Sequence, residues 1–219
     1  STNNIVTLLK GKKHLIKAGG YNPDTVGEDM ELVLRLNRKM KEVMRKYKVV
    51  FLPDPVCWTQ VPDNTDSLSK QRKRWHRGLG ESLFYNISLF FNYKYGSIGL
   101  IAFPFYFFVE LLGPIVETVG YTSLILTFIL GYGNQQIILL FLIASILLGI
   151  LLSLTSLLFE EMSFRKYEKT KDIFILAITA VLENFGYKQL NTIWRMKGLY
   201  QLITGNKEWG TQIRSQFNE

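Results

Sequence analysis

Hydrophobic and polar positions follow two regimes along the chain. Through residues 1–94 apolar side chains are interleaved with charged ones, whereas over residues 95–159 ionised side chains nearly vanish. The first regime suits water and the second lipid. Within the polar part, residues 4–10 read as a short strand (Ile5, Leu8, Leu9), with a turn at Gly11. Residues 14–18 read as a brief helix closed by Gly19 and Gly20. Turn chemistry at Asn22, Pro23 and Asp24 makes residues 21–27 a loop. Met30, Val33, Leu34, Leu36, Met40 and Val43 then repeat at helical spacing to about Arg45. Glu28, Asp29 and Glu31 at its start and Lys39, Lys41, Arg45 and Lys46 at its end match the helix dipole.

Residues 48–52 form a strand pattern stopped by Pro53 and Pro55, and residues 56–61 form a second. A polar loop over 62–69 follows, with Ser67 or Ser69 as the expected cap of a helix carrying Gln71, Arg74, Trp75 and His76. Strand, helix, strand, strand, helix is the order of the later part of an α/β domain.

Residues 98–130 hold Glu110 and Glu117 but are otherwise apolar, and exceed one straight crossing of a ~30 Å hydrocarbon core. Pro104, Gly113 and Pro114 are expected to break or bend the run, leaving residues 103–112 in the interface while the rest crosses. Residues 137–159 read as a second crossing. The uncharged 131–136 link and the basic Arg165, Lys166, Lys169 and Lys171 put the polar part, residues 1–94, on the cytoplasmic side of a multi-pass cell-membrane protein. The apolar run 173–182 leaves two readings open, a third crossing or an amphipathic surface helix continuing through Leu190, Ile193, Trp194 and Leu199. Trp194 and Trp209 suit a membrane interface in either case. The expected division is a cytoplasmic part at 1–94, transmembrane and interfacial helices at 95–187, and a basic amphipathic cytoplasmic tail at 188–219.

Charge sharpens this picture. The net charge is +8, and Lys and Arg crowd beside the apolar runs, which fits an anionic membrane leaflet rather than nucleic acid. The single cysteine, Cys57, excludes an internal disulfide framework and reads as a small buried strand residue. Ser1 is not a methionine and nothing near it resembles a signal peptide, so a fragment of a longer protein is expected.

Two motifs can carry chemistry. Gly27, Glu28 and Asp29 open the first clear helix, where a carboxylate held beside a loop can act as a general base. The plain alternative is an acidic first turn that only complements the dipole. Gln71, Arg74 and Trp75 share one helix face, offering an amide to sugar hydroxyls, a guanidinium to phosphate and an aromatic plane to a sugar ring. Here the plain alternative is a basic juxtamembrane segment with an anchoring tryptophan.

Taken together, Glu28-Asp29, the strand pair over 51–61 and Gln71-x-x-Arg74-Trp75 directly before membrane helices resemble the processive family 2 glycosyltransferases. Cellulose, chitin, hyaluronan and poly-N-acetylglucosamine synthases belong to that group. Gly19-Gly20-Tyr21, Pro23-Asp24, Pro53-Asp54 and residues 57–62 extend the resemblance, while Gln60 stands where that family often has glutamate. The resemblance implies the second half of a GT-A-like nucleotide-sugar transferase fold followed by transmembrane helices, and an inverting transfer from a nucleotide sugar, a UDP-sugar, to a glycan acceptor. Asp29 would be the base and Glu28 its orienting neighbour; Gln71 and Trp75 would hold the acceptor and Arg74 the leaving diphosphate. It also implies a divalent metal, Mg²⁺ or Mn²⁺, whose DxD motif the family places upstream; no D-x-D triplet stands in this chain. The fragment alone is therefore expected to be inactive. Glu110 and Glu117, as acids within apolar runs, and Tyr106, Phe107 and Phe108 are further candidates along a sugar path, with interfacial anchoring as their plain reading. Two competing readings remain: a single-addition enzyme acting on a lipid carrier, and a non-enzymatic membrane scaffold or transporter subunit.

Overall fold

The computed structural model describes residues 16, 19–43, 47, 61–132, 134–164, 167 and 169–205. The strands expected at 4–10 and 48–52, residues 56–60 of the strand expected at 56–61, Cys57 and Trp209 lie outside the described residues; Val61 is in no regular element, and no strand occurs among the described residues. The chain divides into two compact units. One contains the residues up to Pro114 together with those from Trp194 onward, and the other is Ile115–Ile193.

In the first unit, α1 (Glu28–Glu42) has the expected acidic first turn and basic last turn. Ahead of it, Gly19 and Gly20 both adopt positive φ, and the Gly19 N–H donates to the Ile16 carbonyl at 2.9 Å; the other residues of the helix expected at 14–18 lie outside the described residues. Helix α2 (Thr65–Tyr85) starts earlier than the serines implied. Its N-cap is Asn64, whose extended backbone lets the side-chain oxygen accept from the Ser67 N–H at 2.8 Å. The expected Ser67 or Ser69 cap is thus corrected; Ser67 is the capped residue.

Helices α1 and α2 run in the same direction. Gly27 meets Gly78 at one end, and Arg38 Nη1 donates to the Tyr85 carbonyl and Ser88 Oγ at the other. Leu83, Leu89, Tyr95, Phe103, Leu111 and Leu199 form the buried cluster of this unit. Pro104 lacks the N–H that a regular helix needs, and π-helical turns at Ile98–Ala102 and Tyr106–Leu111 flank the short α3 (Phe103–Phe105) around it. The chain bends at Leu112, whose N–H reaches back to the Phe107 carbonyl, immediately before α4 (Gly113–Ile129). Phe103, Pro104 and Leu111 face the core while Ile101, Phe105, Phe108 and Val109 are exposed, so this stretch has one protein side and one open apolar side.

In the second unit, α5 (Gln135–Phe164) exposes Ile137, Leu140, Phe141, Leu147, Leu148, Leu151, Leu152 and Phe159. A helix apolar on every side needs an apolar surrounding. Ile98–Ile129 and Gln135–Ser163 are each long and apolar enough to cross a membrane. At 1.5 Å per residue Gln135–Ser163 runs about 44 Å, while Ile98–Ile129 is bent at Leu112. Helix α6 (Thr170–Leu182) packs on α5 and is only 13 residues long, about 20 Å, short of a ~30 Å core. The run does not continue as one amphipathic helix either: the chain turns through Glu183 and Gly186, with Gly186 at φ +97°, before α7 (Tyr187–Thr204). The turn is polar and satisfied. Glu183 Oε1 accepts from Ser153 Oγ at 2.7 Å, and Lys188 Nζ donates to Asn184 Oδ1 at 2.7 Å and to Ser153 Oγ at 3.1 Å. Glu117 accepts from Thr192 Oγ1 in the same unit.

Candidate active site

The opening of α1 is set by the helix beside it. A Cβ added at Gly27 would lie 2.9 Å from the backbone of Gly78, and one added at Gly78 would lie 2.9 Å from Gly27 Cα. Only two glycines allow main chain to approach main chain so closely. Gly27 has no side chain with which to cap α1, so α2 supplies the contacts that fix its first turn. Asp29 in that turn is exposed, its Oδ1 accepting from the Met30 N–H at 2.8 Å, and Glu28 is half-buried.

Gln71, Arg74, Trp75, Gly78 and Ser82 fall at helical offsets of three and four, so they form one stripe of α2. Because α1 begins beside Gly78, the preceding residues of α2 project past its start by about 10 Å from Gln71 to Gly78. Gln71 and Arg74 are half-buried and Trp75 is partly open, with the Arg72 guanidinium 5.1 Å from its ring centroid. The buried Nε of Arg74 has no hydrogen-bond partner among the described residues. The acidic turn and the Gln71–Arg74–Trp75 stripe are thus brought to neighbouring parts of one helix pair.

Sequence reasoning missed the residues that make this junction. Glu81 Oε2 accepts from Thr25 Oγ1 at 2.8 Å and from the Val26 N–H at 2.9 Å, while its Oε1 accepts from Arg77 Nε at 2.8 Å. Thr25 Oγ1 in turn accepts from the Gly27 N–H at 3.1 Å. Ser82 Oγ bonds the Gly78 carbonyl at 2.7 Å and approaches the Gly27 carbonyl at 3.3 Å. Below it, Glu31 pairs with Arg35 at 3.0 Å, and Arg35 Nη2 donates to the Gly20 carbonyl. The one legible signal was the Arg77–Glu81 spacing of four, which alone reads as a surface pair.

The opposite face of α2 carries His76, which is buried. Arg195 of α7 donates from Nε to His76 Nδ1 at 3.4 Å, and from Nη2 to the Glu110 carbonyl and, at 3.2 Å, its carboxylate. A ring whose Nδ1 accepts a bond carries its proton on Nε2. Burial, then the Arg195 charge, hold the His76 pKa down at about 4, against a smaller opposing contribution from the Leu111 backbone. Gly198 makes the crossing of α7 and α2 tight, since a Cβ there would lie 2.6 Å from the Lys73 carbonyl oxygen. The neighbouring Trp194 is buried, not an exposed interface anchor, because its face of α7 packs inward.

No group of three or more His, Cys, Asp or Glu side chains able to hold a metal occurs among the described residues. These residues do not fit the divalent ion that the resemblance implies.

A family model described as glycosyl transferase family group 2 matches residues 7–159, a span that includes both motifs, the first long apolar helix and most of the second. The chain belongs to that family. It is also similar to the poly-beta-1,6-N-acetyl-D-glucosamine synthases of Staphylococcus aureus strains COL, MSSA476 and MRSA252, at 32% identity over 79 residues in each case. That alignment covers 36% of this chain and 18% of each relative, so the chain matches under a fifth of their length. No solved structure matches it.

Proposed function

We propose that the chain is the acceptor-side half of a membrane-bound, inverting glycosyltransferase that passes a sugar from a nucleotide-sugar donor, a UDP-sugar, to the end of a growing polysaccharide. The observation that carries this reading is the abutment of the Asp29 turn on α2 at Gly78, beside the stripe of Gln71, Arg74 and Trp75. The Asp29 carboxylate takes the proton of an acceptor hydroxyl as its oxygen attacks the anomeric carbon and the bond to the diphosphate breaks. Arg74, whose buried Nε has no hydrogen-bond partner among the described residues, offsets charge on the departing diphosphate. Trp75 stacks on the acceptor sugar, Gln71 bonds its hydroxyls, and Glu28 orients its neighbour.

In this reading the chain is the second half of a GT-A-like α/β domain followed by membrane helices. Residues 1–94 are cytoplasmic, 95–187 hold the membrane and interfacial helices, and 188–219 form the cytoplasmic tail. Donor and divalent metal are gripped by parts of the enzyme upstream of this chain, so the isolated chain does not turn over. The all-round apolar surface of α5 supports the bilayer as its surrounding, and nucleic acid has no part.

The test is the full-length enzyme in membranes, supplied with labelled UDP-sugars one at a time. Incorporation into polymer is expected from one of them. Asp29→Asn should lower that rate by about 10²- to 10⁴-fold while donor binding persists. Polymer synthesis near the parental rate by the Asp29→Asn enzyme overturns the base assignment, and transfer of one sugar only to a lipid carrier overturns the polymerase reading.

A further inference from the structure

We propose that Glu81 is a positioning residue that locks the turn carrying Asp29 to the helix carrying Gln71, Arg74 and Trp75, so that base and acceptor face move as one body. The inference rests on Asp29 being the base, as proposed above. Three donors from two directions meet on the Glu81 carboxylate: Arg77 Nε from its own helix, and Thr25 Oγ1 and the Val26 N–H from the loop before α1. Thr25 passes the constraint on by accepting from the Gly27 N–H. Thr25, Val26 and Gly27 are therefore all tied to one side chain of α2, directly or through one hydroxyl.

The setting makes these bonds matter. Thr25 and Arg77 are buried, at 1% and 4% exposure, so water cannot substitute for a lost partner there. Bonds to an ionised carboxylate are the short and strong kind, and a fully satisfied buried network holds one geometry. The Gly27–Gly78 contact fixes how near the two helices lie. Glu81 fixes the rotation of the turn about that contact, which decides where Asp29 aims. Displacing a reacting group by about 1 Å costs on the order of 10²-fold in rate.

The experiment compares variants of the full-length enzyme in membranes, each normalised to the amount inserted. Glu81→Gln keeps the size but loses the charge and turns an N–H₂ toward one of the donors. It is expected to lower kcat about 10- to 100-fold while the donor KM stays within about twofold. Thr25→Val should fall in the same direction and Thr25→Ser, which keeps the hydroxyl, should stay near parental; this pair carries the test if Glu81→Gln does not accumulate. In the Asp29→Asn background Glu81→Gln should add nothing, because the group it aims is gone. Parental kcat in Glu81→Gln, or multiplied losses in the double variant, would overturn the proposal while leaving a slow Asp29→Asn enzyme, and so the base assignment, intact. A parental rate in Asp29→Asn overturns both.

Discussion

Gly27 and Gly78 touch main chain to main chain, and through that contact the start of one helix is seated against the middle of another. Gly27 has φ −114°, a value open to any residue, so the glycine is required by proximity and not by backbone conformation. The candidate site is arranged around this point: the acidic turn on one side, the stripe of Gln71, Arg74 and Trp75 on the other, and the Glu81 carboxylate pinning the loop between them.

Gly78→Ala should therefore push α1 away from α2. Overpacking of this kind costs about 1–3 kcal/mol, read as a lower melting temperature of the detergent-solubilised full-length enzyme together with loss of the proposed polymer synthesis. Gly120→Ala is the control. A Cβ at that helical position meets nothing within 4 Å, and replacing glycine by alanine in a helix favours it slightly. Equal melting temperatures for Gly78→Ala and the parent would show that the contact carries no weight.

His76 gives the fold an acid-sensitive joint. Its pKa is about 4 in the folded protein against 6.5 in an unfolded chain, so the unfolded state binds the proton first as pH falls. The native state is at full strength above pH 6.5 and loses stability between 6.5 and 4, by on the order of 3 kcal/mol at most. The charges that face the ring are Arg195 and, through it, Glu110. Melting of the solubilised enzyme should drop from pH 7 to pH 5 more steeply than in His76→Gln. Arg195→Met should shrink the drop, because one of the two causes of the low pKa is removed.

Leu147 lies on the open surface of α5, near the middle of the apolar helix. Leu147→Arg places a cation where the bilayer centre is proposed, at a cost of about 2.5–3.5 kcal/mol by insertion scales. The full-length variant should leave the membrane fraction on alkaline carbonate extraction, whereas Leu147→Phe should remain. Unchanged retention of Leu147→Arg would mean that α5 is covered by something other than lipid.

Much of this molecule is written locally. The spacing of Met30, Val33, Leu34 and Leu36, with acids before and lysines after, specifies α1 because helix periodicity and dipole complementarity act within a few residues. The two long apolar runs are equally plain, since partition into an apolar surrounding sums side chain by side chain. The break before Gly113 follows from local chemistry as well. The Asn64 cap obeys a local rule too, a short polar side chain on an extended residue just ahead of the helix.

The linear chain could also present an acidic pair and a Gln-x-x-Arg-Trp helix, each as a short-range pattern, because register along one helix fixes which of its side chains share a face. What tertiary structure alone decided is how distant stretches meet. Glu81 receives Thr25 from 56 positions away and Arg195 reaches His76 across 119, pairings that no periodicity encodes. The same holds for Trp194, whose indole reads as an interface anchor until α7 is seen turned inward against α2, and for Gly78, which looks like a weak point in a helix until Gly27 arrives beside it. Contacts of that range are selected by the packing of whole helices, where shape and burial of the assembled surfaces, not the preferences of neighbouring residues, set the free energy.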